Sequence, residues 1–310
     1  VTLIINGQAT TLTQEQLAER LKAVPAAQLA KAEVMLSAPA RYHVRGMAIN
    51  IVTKDNAGTN RLSGQMVGGL QQSRYSTGFG LYLSIQRGKF GLDAQYQYVN
   101  GNSYGESSRI ANHPLGNKRV NYYDETWQKS FGIRHYYRLG MNYAFSKNHR
   151  LDIAYTGNWK NASSNNQTTG LSVSRTHHDS HVYLHNVDVN YSLPFGLTLS
   201  GSYTYYRTPQ QQVLEGMMQV DGNTTETERN LTSGSEQTIN KWMFTADQTH
   251  SLSHGWGLSY GVQGQFASNK SYQNTLDKTG NILPNATSSV GINERIWNMY
   301  AHVLVCTSDV

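Results

Sequence analysis

His177-His178-Asp179-Ser180-His181 is the densest run of potential metal ligands in the chain. Imidazole and carboxylate groups at this spacing could hold zinc or grip an iron chelate. A polar run of this kind is ordinarily solvated, however, and no supporting partners can be read beside it. No resident metal and no cofactor are therefore expected. Upstream, Tyr122, Tyr123 and Trp127 could stack on a sugar or a siderophore, while Trp127 would serve equally as an interfacial anchor. With His177 and His178, these three aromatics form the candidate ligand-binding set. Arg134 and Arg138, four residues apart, would share one face of a strand, where each guanidinium needs an anionic side chain or lines a path for an anionic solute; the first reading is preferred because buried charge needs a partner. Ser and His are plentiful, but spacing alone pairs no nucleophile with a base, so no enzyme is expected. The single Cys306 rules out an internal disulfide framework.

The elements that must position these residues are strands. The 310 residues include 20 Tyr, 5 Trp and 28 Gly with only 15% charged residues, at a mean hydropathy of −0.54. An aromatic yet polar chain suits a sheet with one apolar and one polar face. No stretch approaches the roughly 18 apolar residues that a spanning helix needs, whereas a membrane-crossing strand needs only about 9–11 alternating ones. The formal charge of +6 is scattered without a Lys/Arg run, so nucleic acid is not an expected partner.

Period-two segments recur from Arg61 onward. Phe79, Leu81, Leu83 and Ile85 oppose Gly78, Gly80, Ser84 and Gln86; Phe90, Leu92, Ala94, Tyr96 and Tyr98 oppose Gly91, Asp93, Gln95 and Gln97. The same alternation marks Ile133 to Phe145, Leu151 to Trp159, Val187 to Tyr191, Leu197 to Tyr205, Trp242 to Ala246 and Trp256 to Phe266. With the segment from Arg61 and a less regular one over 292–305, about ten strands result. Short turns are expected at 86–89, 146–149, 193–196 and 251–255, and long polar loops at 101–129, 160–180, 209–239 and 269–291. Short turns at one rim and long loops at the other characterise outer-membrane barrels, and a soluble β-sandwich has no reason to segregate them. Aromatics at both strand ends would supply two interfacial girdles.

The first 54 residues read as mixed α/β. Thr2 to Ile5 is a short strand before Asn6-Gly7, Thr13 caps a helical pattern of Leu17, Leu21 and Val24 ending at Pro25, a short helical turn over 26–30 leads into a strand over 31–36, and Ala48 to Thr53 is a further strand. Leu3-Ile4-Ile5-Asn6-Gly7, Ala32-Glu33-Val34-Met35, Ala38-Pro39-Ala40-Arg41-Tyr42 and Ile49-Asn50-Ile51-Val52-Thr53-Lys54 resemble the end of the plug domain in TonB-dependent outer-membrane receptors. That resemblance implies a mainly β protein: a plug fragment over 1–54, a linker over 55–60, and a partial transmembrane antiparallel barrel over 61–310. It also implies residence in the cell outer membrane among its lipids, uptake of a scarce small solute, and energy from a TonB-type complex reached through an upstream plug segment. Glu33 and Arg41 would be the plug side chains that meet the lumen, Glu33 as a partner for Arg134 or Arg138. Ten strands fall short of the roughly 22 of plugged transporters, so the expected sheet is unclosed, with further strands after Val310. The alternative is a barrel-anchored adhesin or structural protein without transport.

Overall fold

The computed structural model describes residues 2–5, 8–9, 29–36, 38, 42, 46–54, 60–71, 76–115, 118–170, 172–220, 225–252 and 256–305. A small sheet is built from β1 (Thr2–Ile5), β2 (Gln8–Ala9), β3 (Leu29–Met35) and β4 (Ala48–Thr53), in the order β2-β1-β4-β3. β1 and β4 are parallel and the other pairs antiparallel. Ile4, Tyr42 and Ala48 are its buried apolar centre, with Met35 and Ala38 packed against them. The expected strands at 2–5 and 48–53 are present. The strand expected from residue 31 begins two residues earlier, so Leu29 and Ala30 are extended rather than helical. The helix expected over 13–24 lies outside the described residues.

The rest is one ten-stranded antiparallel meander: β5 (Asn60–Gln71), β6 (Ser76–Arg87), β7 (Phe90–Leu115), β8 (Lys118–Ser146), β9 (His149–Gly170), β10 (Ser172–Ser192), β11 (Leu197–Val220), β12 (Thr225–Ser251), β13 (Trp256–Leu276) and β14 (Ser288–Val305). Each strand pairs with its sequence neighbours, and β5 and β14 stand at the two ends, so among the described residues the sheet is unclosed. Gly88 (φ 55°) and Gly196 (φ 86°) supply left-handed backbone in two of the short turns.

The long loops expected from sequence are a correction. Pairing continues to Leu115↔Lys118 between β7 and β8, to within two residues of the turn between β9 and β10, and to Val220↔Thr225 between β11 and β12. Between β13 and β14 the connection spans 277–287 and holds a 3-10 turn, Pro284–Ala286. The misreading has a physical cause. Where both faces of a hairpin meet water, no apolar alternation is needed, and Ser, Thr, Asn and Gln on both faces look like loop while the backbone ladder still closes on itself.

The meander is inverted relative to a soluble sheet. Leu81, Leu83, Ile85, Leu139, Met141, Val187, Val189, Phe244 and Met299 are exposed, whereas Gln95, Thr156, Asn158, Asn186, Ser202, Thr204 and Gln263 are buried. A sheet in water buries its apolar face; one whose apolar face is outermost and whose polar face is covered has lipid as its solvent. The architecture is that of a partial transmembrane antiparallel β-barrel with a small sheet before it.

Two aromatic belts bound the apolar band. Toward the short turns, Phe145 packs edge-on to Tyr143 at 4.8 Å and stacks on His149 at 4.4 Å. Toward the long hairpins, His135 lies 5.2 Å from Tyr98 and 4.9 Å from Trp159, and Tyr203 lies 4.4 Å from Trp242. Histidines were not expected in these belts. Four of them meet tyrosine hydroxyls: His135 with Tyr96 at 2.8 Å, His149 with Tyr191 at 2.7 Å, His185 with Tyr155 at 2.7 Å and His250 with Tyr260 at 3.2 Å. Such rings keep an apolar body toward lipid and a satisfied polar edge at the interface.

Candidate functional site

Strand register decides which side chains can act together, because successive residues point to opposite faces. On the polar face, the guanidinium of Arg138 pairs with the carboxylate of Asp93 on the neighbouring strand. Thr204 donates to Asn186 at 2.7 Å, Asn186 donates to Asp188 at 2.6 Å, Asn298 donates to Gln263 at 2.9 Å and the Tyr300 hydroxyl donates to Asp247 at 3.0 Å. A polar face out of bulk water holds its shape only when such groups satisfy one another. Arg134 shares that face and stands directly opposite Lys160 across the β8/β9 ladder, which brings two cations side by side.

The expected partnership of Arg138 with a plug carboxylate is replaced by the one with Asp93. Glu33 accepts from Asn50 at 2.8 Å and pairs with Lys31 at 2.5 Å within the small sheet. The β7/β8 ladder sets Asp93 and Arg138 on adjacent strands and on the same face. Arg41 lies outside the described residues.

The ligand-binding set divides. Pairing of His177 with Asn165 and of His178 with Ser164 puts the two histidines on opposite faces: His177 on the side of the apolar band, His178 on the polar side. His177 meets Asn165 at 2.7 Å and Asp179 at 2.9 Å. Burial pushes the Asp179 carboxyl up, but hydrogen bonds from Ser163 and His177 and the charges of His177 and His181 outweigh it, and the group ends below the usual range. Among the described residues no three His, Cys, Asp or Glu side chains converge to hold a metal. Tyr123 is exposed and donates to Glu125, whose charge and hydrogen bond push the phenol up. Tyr122 sits in β8 opposite Ala111.

Trp127 and His177 do come together. With Tyr104, Lys129, Arg175 and Glu215 they line a shallow depression of about 390 Å³ on the extensions of β7 to β11. Tyr104, Lys129, Arg175 and Glu215 were missed because their segments read as loop. Read as strands with a known register, the even-numbered residues of β7 and the odd-numbered ones of β8 to β11 fall on one side, which is the signal that finds them.

The pattern Gly-X-Ser-X-Gly also occurs twice, at Gly101-Asn102-Ser103-Tyr104-Gly105 and Gly257-Leu258-Ser259-Tyr260-Gly261. Both lie inside strands, β7 and β13. A nucleophile elbow requires a sharp strand-to-helix turn, so neither is one.

No family model and no curated protein matches the chain. Among solved structures it is similar to the ferric citrate transporter FecA in its unliganded form, at 15% identity and a TM-score of 0.43, over 99% of this chain and 52% of that one. It is likewise similar to the ferric yersiniabactin uptake receptor FyuA from Yersinia pestis, at 12% identity and a TM-score of 0.40, over 97% of this chain and 52% of that one. A third is the ferric preacinetobactin receptor BauA from Acinetobacter baumannii, at 12% identity and a TM-score of 0.35, over 99% and 54% of the two chains. The chain spans about half the length of these receptors.

Proposed function

We propose that this chain is the plug-end and leading barrel portion of an outer-membrane uptake receptor of the TonB-dependent kind, which binds a scarce small solute on the cell's outer side and admits it along the polar face. The carrying observation is the inverted ten-stranded sheet, whose ladders run far past the aromatic belt on one side only. β7 and β8 have 26 and 29 residues, against the roughly 9–11 that cross a bilayer, so more than half of each stands outside lipid as a wall. A simple anchor has no use for such a wall, nor for the small sheet over residues 2–53 whose sequence resembles a plug.

The proposed division is a plug portion over 1–54, which holds β1 to β4, a linker over 55–60 and a barrel portion from 61, with β5 starting at Asn60, one residue before that boundary. Uptake against a gradient would draw on a TonB-type complex through plug residues upstream, and no part of the chain is assigned catalysis.

Disruption of the gene in its own cell tests the reading. Growth on one scarce solute, among iron chelates, glycans and peptides offered singly, is expected to fail and to return with the intact gene. Unchanged uptake of every solute together with loss of surface attachment would overturn it in favour of the adhesin.

A further inference from the structure

β5 and β6 hold 12 residues each, whereas β7 has 26. The last β6/β7 pair is Thr77↔Asn100. Above it β7 keeps β8 on one side as far as Leu115↔Lys118, and among the described residues no strand lies on the other. The wall is therefore notched above the β5/β6 hairpin. Every residue from Ser103 to Ile110 is exposed. Tyr98, which packs on His135 in the aromatic belt, lies below this stretch, so the notch stands in water.

One hydrogen bond gives the direction of the backbone groups at this edge. Lys89, just before β7, accepts at its carbonyl from the Ala144 amide of β8 at 2.8 Å. In an antiparallel ladder, alternate residues turn both N–H and C=O to the same neighbour. Odd-numbered residues of β7 thus face β8 and even-numbered ones face β6. Above Asn100, the N–H and C=O of Asn102, Tyr104, Glu106, Ser108 and Ile110 turn into the notch. Sheets ordinarily blunt such an edge with proline, lysine or a bulge. From Asn102 to Ile110 the sequence has neither Pro nor Lys, and the register against β8 does not shift. A straight row of donors and acceptors about 30 Å long, at roughly 3.3 Å per residue, is complementary to an added strand.

The side chains along the row select the occupant. Tyr104 and Ile110 are 69% and 75% exposed, and around Glu106 the carboxylates of Glu106 and Glu125 outnumber Lys129. An antiparallel strand would set an apolar residue against Ile110, a cation against Glu106 and an aromatic or apolar one against Tyr104. A second copy is not that occupant. In one membrane its β7 rises the same way, and the two edges could meet only with outer face beside polar face. A strand held in this gap lies between the outer water and the polar face along which solute passes, which is the place of a peptide in transit rather than of a fixed partner.

We infer that the notch binds an extended basic peptide of about nine residues by strand addition to β7. The inference rests on the proposed uptake reading and names its substrate class. The protein as its own cell produces it is placed in phosphatidylcholine vesicles. A dye-labelled peptide spanning the row, alternating valine and threonine with one central lysine, is titrated by fluorescence anisotropy against empty vesicles as the blank. Saturable binding is expected. Methylating the backbone nitrogens of alternate residues is expected to abolish binding for one of the two possible sets and to leave it within about twofold for the other, because only one set faces β7. Ser108→Pro removes an edge N–H and leaves the β8 ladder intact, and is expected to weaken binding about threefold to tenfold. Glu106→Lys is expected to weaken the lysine-centred peptide about twofold to fivefold and to strengthen a glutamate-centred one. Lys270→Gln, on β13, is expected to bind as the parent does. Insertion of each variant is read by protease protection of its strands. In a protein that inserts, absent saturable binding, equal tolerance of the two methylated sets, or parental affinity in Ser108→Pro would overturn the inference alone. A protein that never inserts would overturn the outer-membrane placement and the inference with it.

Discussion

Val187 and Asn190 lie three residues apart in β10 and therefore on opposite faces of the sheet. Val187 is on the outer face, opposite Tyr155 and Tyr203 and between the belt residues His185 and Tyr191 of its own strand. Asn190 is on the polar face, opposite Asp152 and Ser200. If lipid covers the outer face, Val187→Arg puts a guanidinium within the apolar band at a cost of up to about 2–4 kcal/mol. At about 1.36 kcal/mol per decade this shifts the unfolding equilibrium by up to roughly 30- to 900-fold. Asn190→Arg meets Asp152 across the ladder and is expected to cost under about 1 kcal/mol. On a soluble sheet the ranking would differ, since Val187 is 37% exposed and surface substitutions stay within about 0.5 kcal/mol. Reversible urea unfolding of each variant from lipid vesicles measures both. A Val187→Arg cost no larger than that of Asn190→Arg would refute the assignment of faces.

Two further outcomes follow from local geometry. Gly196 has a φ of 86°, and a Cβ there would press on the Thr249 carbonyl, so Gly196→Ala is expected to destabilise by about 1–3 kcal/mol in the same unfolding assay, and an unchanged midpoint would contradict the turn. Asp277 accepts from the Thr279 hydroxyl and from the amides of Thr279 and Asn281, which hold its carboxyl below its ordinary value of 3.8. A depressed carboxylate stabilises this turn above that ordinary value and loses its hold as pH falls through the depressed one; the amide shifts of Thr279 and Asn281 should move only below 3.8, and movement above it would contradict the bonds.

Strand existence was legible wherever one face meets lipid, because the pairing of Leu83 with Ser84 or Tyr96 with Gln95 repeats with period two. Strand length was not. Residues 101–115 and 118–130 carry polar side chains on both faces, and no alternation distinguishes such a hairpin from a loop. The candidate site inherited that gap. Tyr122, Tyr123 and Trp127 fell in one expected loop and His177 and His178 at the end of another, whereas register sends His178 to the other face and gathers Trp127 and His177 with Tyr104, Lys129 and Arg175. Arg138 was legible as a lumen residue, but its partner Asp93 is 45 residues away in sequence, and only the β7/β8 ladder brings them together.

The central claim is that one face of the β5–β14 meander meets lipid and the other a polar interior. Single cysteines at each position from 182 to 190, in a Cys306→Ser background, carry a spin label read against a lipid-soluble and a water-soluble relaxation agent in vesicles. The account predicts contact with the lipid-soluble agent at 183, 185, 187 and 189 and little at 182, 184, 186, 188 and 190. A uniform response along the strand, or the reverse alternation, would contradict it.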